Sequence, residues 1–170
     1  MKLIKFKNTF AITIMAILWS CSYSFTGSSV PPHLSTIAIP IVKDKSGSGE
    51  PSLSNDFTQN LTDQFFDENS LQVVNSINSD AILIVTILSM PERTEVVSGE
   101  NEKATERRIT INTKVVYKDL VLKKTIFDKR VSNYATFDAS QNYTDNRQDG
   151  IERAIEQVAL DILLAVVADW

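Results

Sequence analysis

The chain has 170 residues, 43% of them hydrophobic and 22% charged, with a formal net charge of −4 and one cysteine. That length suits a single domain with one core. The acidic balance makes nucleic acid, or general adhesion to anionic lipid, a poor match for the surface as a whole. A lone cysteine leaves no internal disulfide, so the fold must hold by packing.

The first segment carries Lys2, Lys5 and Lys7, then the apolar run Phe10 to Leu18, then Trp19-Ser20-Cys21. A basic start, an apolar stretch and small residues before a cut site describe a secretory signal peptide. The apolar part is shorter than the roughly 20 residues that span a bilayer. Leu18 three places before Cys21 and Ser20 directly before it fit a bacterial lipobox, with Trp19 an unusual middle residue. Cys21 is therefore expected to become the mature N-terminus, carrying an N-acyl group such as palmitate and an S-diacylglycerol. The expected division is 1–20 signal peptide, 21–34 lipidated tether and 35–170 folded domain. Losing Lys2, Lys5 and Lys7 takes the net charge from −4 to −7.

Beyond the tether, Ile37, Ile39 and Ile41 recur at every second place, the period of a half-buried strand, with Pro40 forcing a bulge or an unpaired side. A polar loop from Lys43 to Leu53 precedes a helix. There Phe57, Leu61 and Phe65 fall on one face, Phe66 widens it, and Ser54 or Asn55 can cap the start. Leu71 to Val74 reads as a short strand. The apolar run Ala81 to Leu88 suits a strand near the middle of a sheet, covered on both faces. Pro91 and the polar stretch Ser98 to Lys103 form a hairpin connection. Arg107 to Leu120 alternates, and a turn near Leu122–Lys124 leads to a strand from Thr125 to Phe137. Asp138 to Asp145 is polar and loose, and a helix closes the chain from about Asn146 to Trp170. This order predicts an α+β two-layer sandwich, a mixed four- to five-stranded sheet with two helices packed on one face.

Catalysis needs a base, a nucleophile or a metal held in a fixed constellation. The single histidine, His33, sits beside Pro32 in the tether, where a surface or packing role is expected. Cys21 is taken by lipid, and no phosphate loop, HExxH, GxSxG or acidic metal cluster occurs. The chain reads as a non-enzyme with no catalytic residues, no metal site and no cofactor beyond the covalent lipid.

Two surfaces stand out instead. The closing helix loses its polar face after Leu160, and Leu163, Val167 and Trp170 must be covered either by the tether or by a partner protein. Between Arg107 and Arg130 lie Arg107, Arg108, Lys114, Lys118, Lys123, Lys124, Lys129 and Arg130, opposed only by Asp119 and Asp128. Such charge on an edge hairpin guards against strand-to-strand aggregation, or else it meets an anionic ligand. Alternation puts Arg108, Lys114 and Lys118 on one face, the first choice for such a ligand, with Arg107 and Arg130 beside them.

Several stretches in order resemble the LPS-assembly lipoprotein family, LptE, in its Bacteroidota-type form. They are Cys21-Ser-Tyr23-Ser-Phe25-Thr-Gly27, Ser29-Val-Pro31-Pro32-His33, Thr36-Ile-Ala-Ile39-Pro40, Glu106-Arg-Arg-Ile109, the Tyr134 region and Ala154 through Leu163 to Trp170. Ser22 stands where glycine is frequent in such sequences. The resemblance implies two helices on a mixed sheet. It also implies a cell-outer-membrane lipoprotein, anchored on the periplasmic side, that plugs and supports the β-barrel LptD and assists delivery of lipopolysaccharide to the outer leaflet. A different class remains open: the strand–helix–strand opening from Ile37 to Val74 also suits periplasmic lipoproteins that activate a cell-wall synthase or assemble a secretion pore.

Membrane attachment through Cys21 has a direct check. One acyl chain binds marginally and two or more anchor stably, so Cys21→Ala should yield an unlipidated precursor absent from the outer-membrane fraction. Normal processing and fractionation of that variant would refute lipidation.

Overall fold

The computed structural model describes residues 30–74, 78–98 and 103–168. Cys21, the signal segment and Trp170 lie outside the described residues. Among the described residues, seven strands and two helices follow in order: β1 (Thr36–Ala38), β2 (Lys43–Asp44), α1 (Leu53–Glu68), β3 (Gln72–Val73), β4 (Ala81–Ser89), β5 (Glu92–Ser98), β6 (Lys103–Asp119), β7 (Lys124–Asp138) and α2 (Tyr143–Val167).

The seven strands occupy only five positions across one mixed sheet. β1 and β2 both run parallel to β4, at its start and its end. β4 and β5 lie on one line against β6, so that Ala81–Ser89 face Asp119–Asn112 and Glu92–Ser98 face Ile109–Lys103. Met90 and Pro91 break that line, and the Pro91 carbonyl still accepts the Thr110 N–H at 3.0 Å. β3 closes one edge in parallel with β1, and β7 closes the other antiparallel to β6. β5 is a strand that the hydrophobic pattern does not reveal, because its opening Glu-Arg-Thr-Glu carries no apolar face.

Both helices cover one face. α1 lays the stripe Leu53, Phe57, Leu61 and Phe65 into the core, and α2 adds Ile151, Ala154, Ile155, Val158 and Ile162. The sheet answers with Leu83, Val85 and Ile87 from β4 and Ile109, Ile111, Val115 and Tyr117 from β6. Burial of these aliphatic and aromatic groups is the main stabilising term. Gly150 lets α2 come close to the sheet, since a Cβ there would stand 3.2 Å from Phe137 Cβ.

Local departures from the sequence pattern have physical causes. The Ile37–Ile39–Ile41 alternation fails at Pro40: Ile37 is buried, Ile41 is exposed, and Val42 takes the next core position. The break leaves the Val42 backbone outside the ladder, and α1 satisfies it. Thr58 Oγ1 accepts the Val42 N–H at 2.9 Å, and the Ser54 hydroxyl donates to the Val42 carbonyl. Ser54 is thus a latch between helix and strand, and α1 starts one residue before it, at Leu53 with Ser52 as N-cap. Phe66 is exposed and does not widen the apolar stripe. β4 holds a central position, but only its inner residues are buried; Ile82, Ile84 and Leu88 look outward and are half-exposed. The loop before α2 is short, and the helix begins at Tyr143.

Leu163 and Val167 are 6% and 7% exposed within the described domain, whereas Leu160 and Leu164 are 47% and 49% exposed. The covering of Leu163 and Val167 thus comes largely from the domain itself. Leu163→Ala should cost about 2–5 kcal/mol as a buried truncation, and Leu164→Ala no more than about 0.5 kcal/mol as a surface change. Chemical denaturation of the two variants checks this, and equal losses would contradict the packing.

Candidate functional site

The long β6–β7 hairpin carries most of the positive charge, and its alternation sorts that charge between faces. On β6, Ile109, Ile111, Thr113, Val115 and Tyr117 turn inward and are buried. Thr113, the polar member of that row, donates its hydroxyl to the Val131 carbonyl at 2.8 Å. Arg108, Lys114 and Lys118 share the outer face, and Arg130 lies directly across from Lys114. Arg107 goes to the helix side.

On the outer face, Ser89, Asn112 and Ser132 form a polar row across three strands, with bonds of 2.9 and 2.8 Å. On one side of it Arg108 is held tightly. Its Nη2 donates to Glu95 at 3.0 Å, its Nε lies 2.9 Å from the other carboxylate oxygen, and its Cζ sits 3.9 Å from the centre of the Tyr134 ring. An arginine that is ion-paired and stacked in this way is a fixed group. On the other side lie Lys114, Lys118 and Arg130. Lys114 Nζ is 3.1 Å from Asp128, an exposed pair of little energetic weight. These cations border Val116 and the outward Ile82 and Ile84 of β4, which face Lys118 and Val116 in register. The result is an open sheet face that joins a cationic strip to an aliphatic one.

Arg107 belongs to a separate cluster at the start of α2. Its Nε lies 2.8 Å from Glu92, which also takes Arg147 Nε at 3.0 Å and the Tyr143 hydroxyl at 2.7 Å. Arg147 reaches on to Glu50 at 2.7 Å. Burial pushes the Glu92 carboxyl up, but the Tyr143 and Arg147 hydrogen bonds and the two arginine charges hold it below its ordinary value. This network joins the loop before α1, β5, β6 and α2, and it consumes Arg107 structurally. No sequence spacing signals it, because Glu50 and Arg147 are 97 residues apart.

At the opposite end the chain enters beside the β6–β7 turn. His33 Nε2 is 2.8 Å from Asp119 Oδ2, a carboxylate only 1% exposed. Burial favours its neutral form, but hydrogen bonds from His33 and the Leu122 N–H, with the His33 charge, leave Asp119 below the ordinary aspartate range. Asp80 is held low as well, first by the Thr36 hydroxyl and the Ser35 N–H, against a smaller opposing effect of burial. Among the described residues no group of three or more His, Cys, Asp or Glu could hold a metal ion. No helix among them is long and apolar enough to cross a membrane.

The family model for lipopolysaccharide assembly, LptE, matches residues 34–166, which is nearly all of the described domain. The chain belongs to the LptE family. That family consists of non-enzymatic assembly proteins. No curated protein matches the sequence significantly. Solved structures share the fold at low identity. The hypothetical protein CT253 of Chlamydia trachomatis is 10% identical, with 78% of this chain and 98% of that one covered and a TM-score of 0.56. A minor lipoprotein of Acinetobacter baumannii is 13% identical, with 79% and 94% covered and a TM-score of 0.52. Protein XCC0632 of Xanthomonas campestris is 12% identical, with 79% and 86% covered and a TM-score of 0.55.

Both lowered aspartates stabilise the fold above their unfolded pKa of about 3.9, and that contribution fades as pH falls through the depressed folded values. Asp119→Asn should therefore cost about 1–3 kcal/mol near neutral pH, the usual loss on disturbing a buried hydrogen-bonded group. Its deficit against the parent should narrow below about pH 4. Urea midpoints measured across that range test the sign; a deficit that grows on acidification would refute it.

Proposed function

We propose that this LptE-family protein is an outer-membrane lipoprotein, held by lipid on Cys21 at the periplasmic side. In this reading it plugs and supports an LptD-type β-barrel and assists delivery of lipopolysaccharide to the outer leaflet. The family match over residues 34–166 carries the reading. The lipobox at Cys21 and the expected 21–34 tether supply the attachment.

The outer sheet face supplies a surface for the glycolipid. Lipopolysaccharide offers phosphates or carboxylates beside acyl chains, and the face sets Lys114, Lys118 and Arg130 beside Ile82, Ile84 and Val116. Arginine and lysine bind such anions through charge-assisted hydrogen bonds, and the aliphatic strip suits hydrocarbon. Arg108, already paired with Glu95 and stacked on Tyr134, sets the edge of this surface and would change partner only at a cost. Arg107 takes no direct part, because it faces Glu92 and Tyr143 on the helix side. For the barrel contact, the half-exposed Leu160 and Leu164 beside the buried Leu163 and Val167 are the apolar groups that α2 offers; Trp170 follows them in sequence.

Two measurements test the reading. Capture of the tagged lipoprotein from outer membranes should bring down an LptD-type barrel; a cell-wall synthase, or a ring of identical subunits, would replace this reading by another class. Lys118→Glu with Arg130→Glu should leave thermal stability nearly unchanged and weaken lipopolysaccharide binding by about tenfold or more at low salt. That defect should shrink as salt screens it. Equal affinity of parent and variant at both salt levels would remove the sheet face from the mechanism.

A further inference from the structure

The turn between β6 and β7 has an unusual composition. Hairpin tips ordinarily take Gly, Asn, Asp or Ser, which tolerate left-handed backbone and face water. Here the tip reads Leu120-Val121-Leu122-Lys123-Lys124, and the left-handed position, φ 53°, is held by Lys123. The three apolar side chains are 37%, 52% and 56% exposed. The fold does not account for them, since the turn is closed by backbone and by Asp119: the Leu122 N–H donates to Asp119 Oδ1 at 2.7 Å, and the Leu120 N–H to the Asp80 carbonyl at 2.7 Å. The tip is therefore both apolar and rigidly held, which lowers the ordering cost of docking it.

Its position names the occupant. His33, the last part of the expected tether, is bonded to Asp119 at the base of this turn. His33 is twelve Cα steps from Cys21, a reach of at most about 40 Å when fully extended and about 20 Å for a flexible chain. An acylated Cys21 thus tethers the domain by this end, at an average of about 20 Å from the lipid for a flexible chain. Local charge agrees. Lys118, Lys123 and Lys124 surround the tip, and the nearby carboxylate of Asp119 is buried and engaged by His33. Two other exposed apolar groups, Phe66 and Leu160, lack that match, whereas Leu164 on α2 borders Lys129 and Arg130 but shares its hollow with Asp161. Phe66 is followed by Asp67 and Glu68, and Leu160 shares a hollow with Asp67, Glu68 and Glu156.

We infer that the β6–β7 tip is a second membrane contact, with Leu120, Val121 and Leu122 entering the leaflet that carries the Cys21 lipid and Lys123 and Lys124 resting on its anionic headgroups. The inference rests on the lipidation of Cys21 and fixes which end of the domain faces the bilayer. Apolar residues beside lysines are the combination that interfacial anchors use, and each lysine near an anionic surface adds about fivefold to partitioning.

The test uses the full lipidated chain in vesicles. With Cys21 acylated, Val121→Cys supplies the one reactive thiol for an environment-sensitive fluorophore, and Thr94→Cys, on exposed β5 toward the opposite end, serves as control. In vesicles of phosphatidylethanolamine and phosphatidylglycerol with brominated acyl chains, the label at 121 should be quenched and the label at 94 should not. Quenching at 121 should fall several-fold in neutral phosphatidylcholine, or when Lys123→Glu and Lys124→Glu are added. Vesicle flotation and the mass of the N-terminal peptide report the anchor separately, and a chain that carries no lipid overturns the anchored reading together with this inference. A lipidated, floating protein whose labels at 121 and 94 are equally unquenched overturns the membrane contact alone. So does quenching that ignores both lipid charge and the lysine changes.

Discussion

One residue, Asp80, ties three distant parts of the chain together through its carboxylate and its backbone. Asp80 Oδ2 accepts the N–H and hydroxyl of Ser35 and the N–H and hydroxyl of Thr36, at 2.8–3.1 Å. The Asp80 N–H donates back to Thr36 Oγ1 at 2.8 Å, and its carbonyl takes the Leu120 N–H. β1 is only three residues long and could slip against β4 if its own ladder alone set the register. A slip of one residue would turn Ile37 out of the core. The Asp80 clamp removes that freedom, and by the Leu120 bond it also fixes where the β6–β7 turn stands relative to the entering chain.

Given that register, charge pairing divides the cations of the hairpin into two kinds. Arg107 and Arg108 are adjacent in sequence and opposite in fate: one is absorbed with Glu92 on the helix side, the other with Glu95 and Tyr134 on the outer side. Among the described residues, Lys118 and Arg130 are not drawn into ion pairs of that strength. A dense run of positive residues is thus mostly internal bracing at one end of the hairpin and available charge at the other. Its formal total overstates what a ligand would meet.

The parts of this architecture legible in the sequence are those written by periodicity. The alternation of β6 and the four-residue stripe of α1 follow from side-chain direction alone, and they gave the correct faces for Ile109, Ile111, Val115, Phe57, Leu61 and Phe65. Pro40 marked a break, but the pattern of isoleucines concealed that Val42 would replace Ile41 in the core. Ser54 looked like a helix cap because capping is its commonest local use; the orphaned Val42 carbonyl, twelve residues away, claimed it instead. β5 and the Glu92–Arg147–Glu50 network were illegible for a different reason. Their residues are polar, and only the neighbours assigned by the sheet decide what they bind.

The length of α2 has a geometric consequence. Its 25 residues form a rod of about 38 Å at about 1.5 Å per residue, close to the thickness of a bilayer with its headgroups, about 40–45 Å. Gly150 seats this rod closely against Phe137, and Asn133 bonds to Asp161 further along, so helix and hairpin are fastened at two heights. The domain is in effect a stiff gauge, with the Arg147 cluster at one mark and the chain entry at the other. If the entry end is tied to one leaflet, the Arg147 end stands roughly a membrane's thickness away, with little scope to shorten that distance by bending.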